Sequence, residues 1–202
     1  YIGDDAFYNT PWYASLPDGL IYIGKVLYRY KGTIPANTVI NVKEGTTCIT
    51  AYALSGGSNL VGVTIPQSVN TIEQNAFRSH SGLESISVAA GNTVYDSRGG
   101  CNAIIERATN TLIVGCNTTV IPTTVKAIGY GAFYGSRITE VSLPDAVDSL
   151  ASYAFEYCSQ LTTLTVGRGL RKIESLAFYG CSKLSNIVVS SANPYFDSRN
   201  NC

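Results

Sequence analysis

The sequence predicts a mainly β repeat solenoid. Coils of about 23 residues each add a short parallel strand and a short helical turn, and two β-hairpin insertions decorate the array. Three observations predict it. "SYAFEYCSQL" at 152–161 returns 23 positions later as "SLAFYGCSKL" at 175–184. The wider frame is an aliphatic residue, three others, Ala-Phe, two others, Cys, two others, Leu and an apolar alternation; it starts at Ile2, Ile49, Ile72, Ile128, Leu150 and Ile173. The composition is that of a turn-rich β protein, with 14 Tyr and 19 Gly in 202 residues and only 14% charged side chains.

A coil of this size cannot bury its own apolar side, so successive coils stack and cover one another. The opening "IGDDAFY" supplies the first start, and Ala-Phe begins a short turn whose small Ala lets neighbouring backbones approach. Residues about 9–48 interrupt the period; within them "GLIYIGKVLYRYKG" holds a Gly24-Lys25 turn suited to a two-residue hairpin. The coils at Ile49 and Ile72 follow, each closing on an alternating strand. Pro66 of "TIP" ends one such strand at a corner, as Pro144 of "SLP" ends another, because proline offers no N–H to a ladder. A second interruption, about 89–122, contains "CNAIIERATNTLIVGC", two apolar runs around a turn and hence another hairpin. The coils at Ile128, Leu150 and Ile173 complete the array.

In "LTTLTV" Leu164 and Val166 point inward while Thr163 and Thr165 point out. Equivalent strands are expected to pair in parallel, and Phe77, Phe133, Phe155 and Phe178 to stack as one internal column. The expected domain is a single right-handed solenoid over 1–202. "NPYFDSRNNC" at 193–202 matches "NTVYDSRGGC" at 92–101, so the text stops where a further hairpin would begin. With Tyr first and no Met anywhere, it reads as a piece of a longer repeat protein.

This frame resembles the BspA-like bacterial leucine-rich repeats, whose unit runs I-x3-A-F-x2-C-x2-L-x2-I-x-I-P-x2-V, over the repeat portions of nearly the whole chain. Leu54 replaces Phe in one copy, Gly57, His80 and Ser136 replace Cys in others, and the copy at Ile128 is one residue short. The resemblance implies a bacterial cell-surface or secreted protein that adheres to host or neighbouring cells.

Residue chemistry bears on function mostly by exclusion. A net charge of zero lacks the basic footprint of nucleic-acid binding, and no apolar run approaches the roughly 18 residues of a membrane span. The solitary His80 stands in the slot of Cys158 and Cys181, which argues against Ser-His-Asp or Cys-His nucleophiles and multi-histidine metal sites. No acids converge for glycosidic cleavage and no Gly-rich stretch cradles phosphate, so no catalytic, metal or cofactor residue is assigned. Cys158 and Cys181 read as small packing thiols. A residue sum of 217 sets Cys101 opposite Cys116 across the second hairpin, leaving a disulfide and a pair of packing thiols both open. In the two "DSR" triplets, Asp96-Ser97-Arg98 and Asp197-Ser198-Arg199, Asp caps a turn and Arg braces it.

Binding surface remains as the readable function. The outward strand positions Gly62, Thr64, Ser85, Ser87, Glu140, Ser142, Thr163, Thr165, Asn186 and Val188 form a hydroxyl-rich, nearly uncharged carpet. Tyr134 and Tyr179 follow Ala-Phe, as Tyr8 does, while Tyr52 and Tyr153 precede theirs; Trp12 and Tyr13 lie in the first insertion. Tyrosine supplies contact area at low entropic cost. The expected partner is an extracellular or host protein. A glycan-binding module using the tyrosines, or a passive stalk, are the alternatives.

Overall fold

The computed structural model describes residues 2, 3 and 5–198. Helix α1 (Pro11–Ser15) is capped by Thr10, whose hydroxyl accepts the Tyr13 N–H, and the hairpin β1 (Gly19–Ile23) and β2 (Val26–Lys31) follows. Long and short strands then alternate: β3 (Thr38–Asn41), β4 (Cys48–Ile49), β5 (Leu60–Ile65), β6 (Thr71–Ile72) and β7 (Ser85–Val88). The second insertion holds β8 (Tyr95–Asp96), β9 (Ile104–Glu106) and β10 (Thr111–Val114). Alternation resumes through β11 (Ala127–Ile128), β12 (Glu140–Leu143), β13 (Ser149–Leu150), β14 (Thr163–Val166), β15 (Lys172–Ile173) and β16 (Asn186–Val189).

The chain is therefore a β-solenoid with three sides to each coil: a short strand, an Ala-Phe turn and a long strand. Equivalent strands pair in parallel one coil apart, Leu150 opposite Ile173 and Leu164 opposite Ile187. Inward residues such as Leu164 and Val166 are buried, and both β5 and β12 stop at a proline, Pro66 and Pro144.

The Ala-Phe side carries little true helix. Each segment is a tight turn closed by i to i−3 bonds, for example Ala132 N to Gly129 O and Tyr134 N to Gly131 O. The residue before Ala is left-handed in all six turns: Asp5, Tyr52, Asn75, Gly131, Tyr153 and Leu176 have φ of 56° to 63°. A second left-handed residue follows Phe or Leu two places on, at Asn9, Gly56, Ser79, Gly135, Tyr157 and Gly180. Reversing the handedness on both sides of Ala-Phe stops a helix from propagating and redirects alternate N–H groups along the solenoid axis. Gly131, Phe133 and Gly135 thus donate to the carbonyls of Ser152, Ala154 and Glu156, and Tyr153, Phe155 and Tyr157 to those of Ser175, Ala177 and Tyr179. The turns form a hydrogen-bonded ladder although they are not strands.

Both hairpins dock on this framework at equivalent positions. The first turns at Gly24-Lys25 with Ile23 opposite Val26. Its Tyr30 N–H then reaches Ala53 O, and in the second hairpin Gly115 N–H reaches Ala132 O. The first insertion goes on to supply a long strand, β3, which pairs with β5. The second does not, so the long-strand side divides into β3-β5-β7 and β12-β14-β16. Asn117 spans the break: its Nδ2 donates to Ser81 O at 2.9 Å while its Oδ1 accepts from Arg137 N at 2.8 Å and Ser136 Oγ at 3.1 Å. The open edge of β7 is quenched by Ser97 Oγ, which accepts the Val88 N–H, and by Thr118, which donates to Glu84 O.

The expected column of four phenylalanines becomes one of three. Phe133 and Phe155 stack with centroids 4.8 Å apart, and Phe155 and Phe178 at 5.3 Å. Phe77 is buried but belongs to the other half of the core, with Leu54. The reason lies at Gly115, which covers Phe133 on the side where the next ring would stand; a Cβ there would fall 2.2 Å from the Phe133 ring. Gly115→Ala should therefore push that ring from its stack and lower the unfolding free energy by about 1–3 kcal/mol, read as a shifted urea midpoint.

Candidate functional site

The outward strand residues sit where alternation puts them, but on two patches. Ser85 and Ser87 lie on β7, and Glu140, Ser142, Thr163, Thr165 and Asn186 on β12, β14 and β16; these two groups share no sheet. Ser85, Ser87, Glu140, Ser142, Thr165 and Val188 are exposed, whereas Thr64, Thr163 and Asn186 are half-buried and Gly62 is buried beneath Val39 and Ser85. The carpet is interrupted because the second insertion contributes no long strand.

The tyrosines form a more continuous feature. Tyr134, Tyr157 and Tyr179 meet edge to face, with 5.6 Å between successive centroids. Arg78 extends the row by one coil, its guanidinium 4.0 Å from the Tyr134 centroid and its Nη2 3.9 Å from Glu156 Oε2. Tyr134 is half-buried rather than exposed because Arg78 covers it; Tyr157 and Tyr179 are exposed. Sequence reasoning overlooked Tyr157, which takes the left-handed slot filled elsewhere by Ser79, Gly135 and Gly180. The available signal was a displaced aromatic: "AFEY" where other copies read "AFYG". Tyr130 and Tyr153 form a separate pair, and Phe7, Trp12, Tyr8, Tyr13 and Tyr28 a cluster at the first hairpin.

The remaining candidates have structural surroundings. Asp96 accepts from the Arg98 backbone and guanidinium and meets Arg107 at 3.4 Å, while Arg98 also reaches Asn110 and Thr124. Burial opposes ionisation of Asp96, but these hydrogen bonds and charges outweigh it and hold the carboxyl below its usual range. Of the second triplet, Arg199 lies outside the described residues. Just upstream of each triplet stands an asparagine that sequence reasoning passed over. Asn92 donates to Pro66 O and Val69 O and accepts from Val94 N and Tyr95 N, and Asn193 repeats the pattern with Gly167, Leu170, Tyr195 and Phe196.

Cys101 and Cys116 are free thiols. The hairpin keeps the sum of 217 for Thr111–Glu106 and Leu112–Ile105, then a bulge opposes Val114 to Ile104 and takes the cysteines out of register. Cys158 and Cys181 donate to the carbonyls of Phe133 and Phe155 at 3.0 and 3.1 Å. The adjoining Cys181 thiol and burial push the Cys158 thiol well above the ordinary cysteine range, as suits a packing group.

A partly open cleft, with a volume of about 250 Å³, lies where the second hairpin replaces an Ala-Phe turn. Its walls are the turn after β6 and the turn after β11, with Tyr95, Glu106 and Thr111 at the hairpin side. His80 lines it, is 7% exposed, and has no partner for Nε2. Burial lowers its pKa to about 3, so the ring is neutral. Glu73 lines it too: Oε2 accepts the Ala51 N–H while Oε1 has no partner. Among the described residues no three His, Cys, Asp or Glu side chains are grouped to hold a metal ion.

The repeat text matches the family model described as the BspA type leucine rich repeat region in six copies, over residues 1–100 and 111–200. A leucine-rich repeat protein from Eubacterium ventriosum superposes with a TM-score of 0.61 at 21% identity, covering 75% of this chain and 41% of that one. The pneumococcal vaccine antigen PcpA is 26% identical over 72% of this chain and 32% of its own, with a TM-score of 0.49. A Bacteroides ovatus leucine-rich repeat protein gives 0.49 at 19% identity, over 85% and 52%. The chain thus spans about half or less of these bacterial proteins. No curated protein is significantly similar to it.

The buried histidine makes a prediction about acid. Between the unfolded value near 6.5 and about 3, the unfolded chain binds a proton that folded His80 refuses, so stability falls as pH drops through that window. His80→Cys, the residue other copies carry, should remove up to about 1.4 kcal/mol of loss per pH unit. Urea midpoints of the two proteins should diverge progressively below about pH 6.

Proposed function

The chain belongs to the BspA-type leucine-rich-repeat family, and from that premise we propose that it is a non-catalytic scaffold at or beyond the bacterial cell surface that binds a protein partner. The observation that carries this reading is the aromatic row Tyr134–Tyr157–Tyr179 crossing three successive coils. Tyr157 is held left-handed where a glycine would carry no penalty, and Gly180 lets its ring lie close, since a Cβ at Gly180 would fall 2.5 Å from it. An exposed aromatic in a slot that glycine would fill with less strain supports a contact role for this row. Amphipathic tyrosines are also the side chains that dominate protein interfaces. The neighbouring outward face of Glu140, Ser142, Thr163, Thr165 and Asn186 would form the polar rim of the same contact.

A glycan is the second reading, and the ring planes count against it. Successive rings are turned by 75° and 76°, so the row presents alternating edges and faces rather than a flat platform for sugar rings. A passive stalk would make no use of an aromatic row with exposed rings at Tyr157 and Tyr179.

Binding of the chain to immobilised extracellular-matrix and cell-surface proteins, run beside a glycan array, tests the proposal. Tyr157→Gly and Tyr179→Ala should each lower protein binding about tenfold or more, the loss of a central aromatic contact, with the melting temperature near that of the parent. Retention of a glycan alone, or protein binding unchanged by both substitutions, contradicts it.

A further inference from the structure

The cleft beside the second hairpin is where the turn ladder fails. At the two junctions that follow it, three N–H groups of one turn find carbonyls of the next. The equivalent N–H groups of Asn75, Phe77 and Ser79 have no acceptor among the described residues, because the hairpin stands where the next turn would be and Gly115 N–H already occupies Ala132 O. Across the gap, the Tyr130 carbonyl receives no N–H from the described residues, whereas Ser152 and Ser175 in the two following turns each accept one. The short-strand side is open as well: the Ile72 N–H is taken by the Tyr95 hydroxyl at 3.1 Å, and the Ile72 carbonyl has no donor among the described residues, whereas Ile49, Ile128 and Leu150 each accept one from the coil that follows. Asn75, Phe77, Ile72 and Tyr130 all line the cleft.

We infer that this cleft is a binding site for a peptide segment. Where an uninterrupted coil follows, as at Tyr52, Leu54, Gly131, Phe133, Tyr153 and Phe155, the equivalent N–H groups bond to polypeptide, so the unpaired set is already arranged for a main chain, with the Asn75 and Phe77 donors and the Ile72 acceptor on one wall and the Tyr130 acceptor on the other. The acidic lining selects among peptides. Glu73 carries an unpartnered oxygen just beneath the surface and Glu106 lies opposite, while Arg78 is committed to Tyr134 and Glu156. His80 is neutral and adds no positive charge. The segment favoured is therefore one with a lysine or arginine, and an anion at the same N–H groups is disfavoured. This site is separate from the tyrosine row and does not depend on that row's role.

The test is an amide-resolved NMR titration of the whole chain with three probes: acetyl-Ala-Lys-Ala-amide, acetyl-Ala-Glu-Ala-amide and free lysine. The lysine tripeptide should shift the Asn75 and Phe77 amides saturably, and Glu73→Gln, which keeps the acceptor for Ala51 N–H, should weaken it about tenfold. The glutamate tripeptide should bind more weakly, and free lysine should leave the two amides unmoved. Equal responses to all three probes, shifts confined to other residues, or lysine alone reproducing the effect would overturn the inference. Tyr179→Ala should leave the titration unchanged, so failure of the surface proposal and failure of this one are read separately.

Discussion

The structure depends on the pair of left-handed residues that bracket each Ala-Phe turn. Parallel strands stack through their own ladders, but a turn of ordinary helical hand would direct its N–H groups back into its own coil. Reversing φ before Ala and again after Phe aims alternate N–H groups at the neighbouring coil, so between uninterrupted coils the turn side carries its own hydrogen-bonded ladder. Small Ala at the contact and rings stacked behind it follow from that close approach. The cost of left-handed backbone at Tyr52, Tyr153 and Leu176 is met by cooperative stacking, in which each coil completes the one before.

Much of this was legible in the sequence because a repeat prints the same constraint several times. The spacing of Ala-Phe, the alternation in "LTTLTV" and the prolines at 66 and 144 each name one side of a coil. The left-handed slot was not legible, since its six occupants include Asp, Tyr, Asn, Gly and Leu; backbone sterics favour Gly there, but side-chain demands overrode it. The broken ring column and the divided strand face were hidden for another reason. They follow from how the second hairpin enters the array, through Gly115 and Asn117, and nothing in a hairpin's own text states which neighbouring carbonyls it will take. The cysteine register failed at a bulge, a one-residue event below the resolution of pattern reading.

The two insertions also separate two kinds of surface. The uninterrupted coils from Ile128 onward present a regular face with a tyrosine row, suited to broad contact. The hairpin creates an irregularity, a cleft whose polar backbone is left over from the missing turn. In a solenoid, regularity satisfies the backbone completely, so places to bind through the main chain arise where the repeat is broken.

Native-state hydrogen exchange tests the turn ladder most directly. The account predicts strong protection of the Phe133, Gly135, Phe155 and Tyr157 amides, each bonded to the following coil, with rapid exchange at Asn75, Phe77 and Ser79, whose acceptors the hairpin displaces. Equal protection of the two sets would show that the turns are held by something other than this ladder.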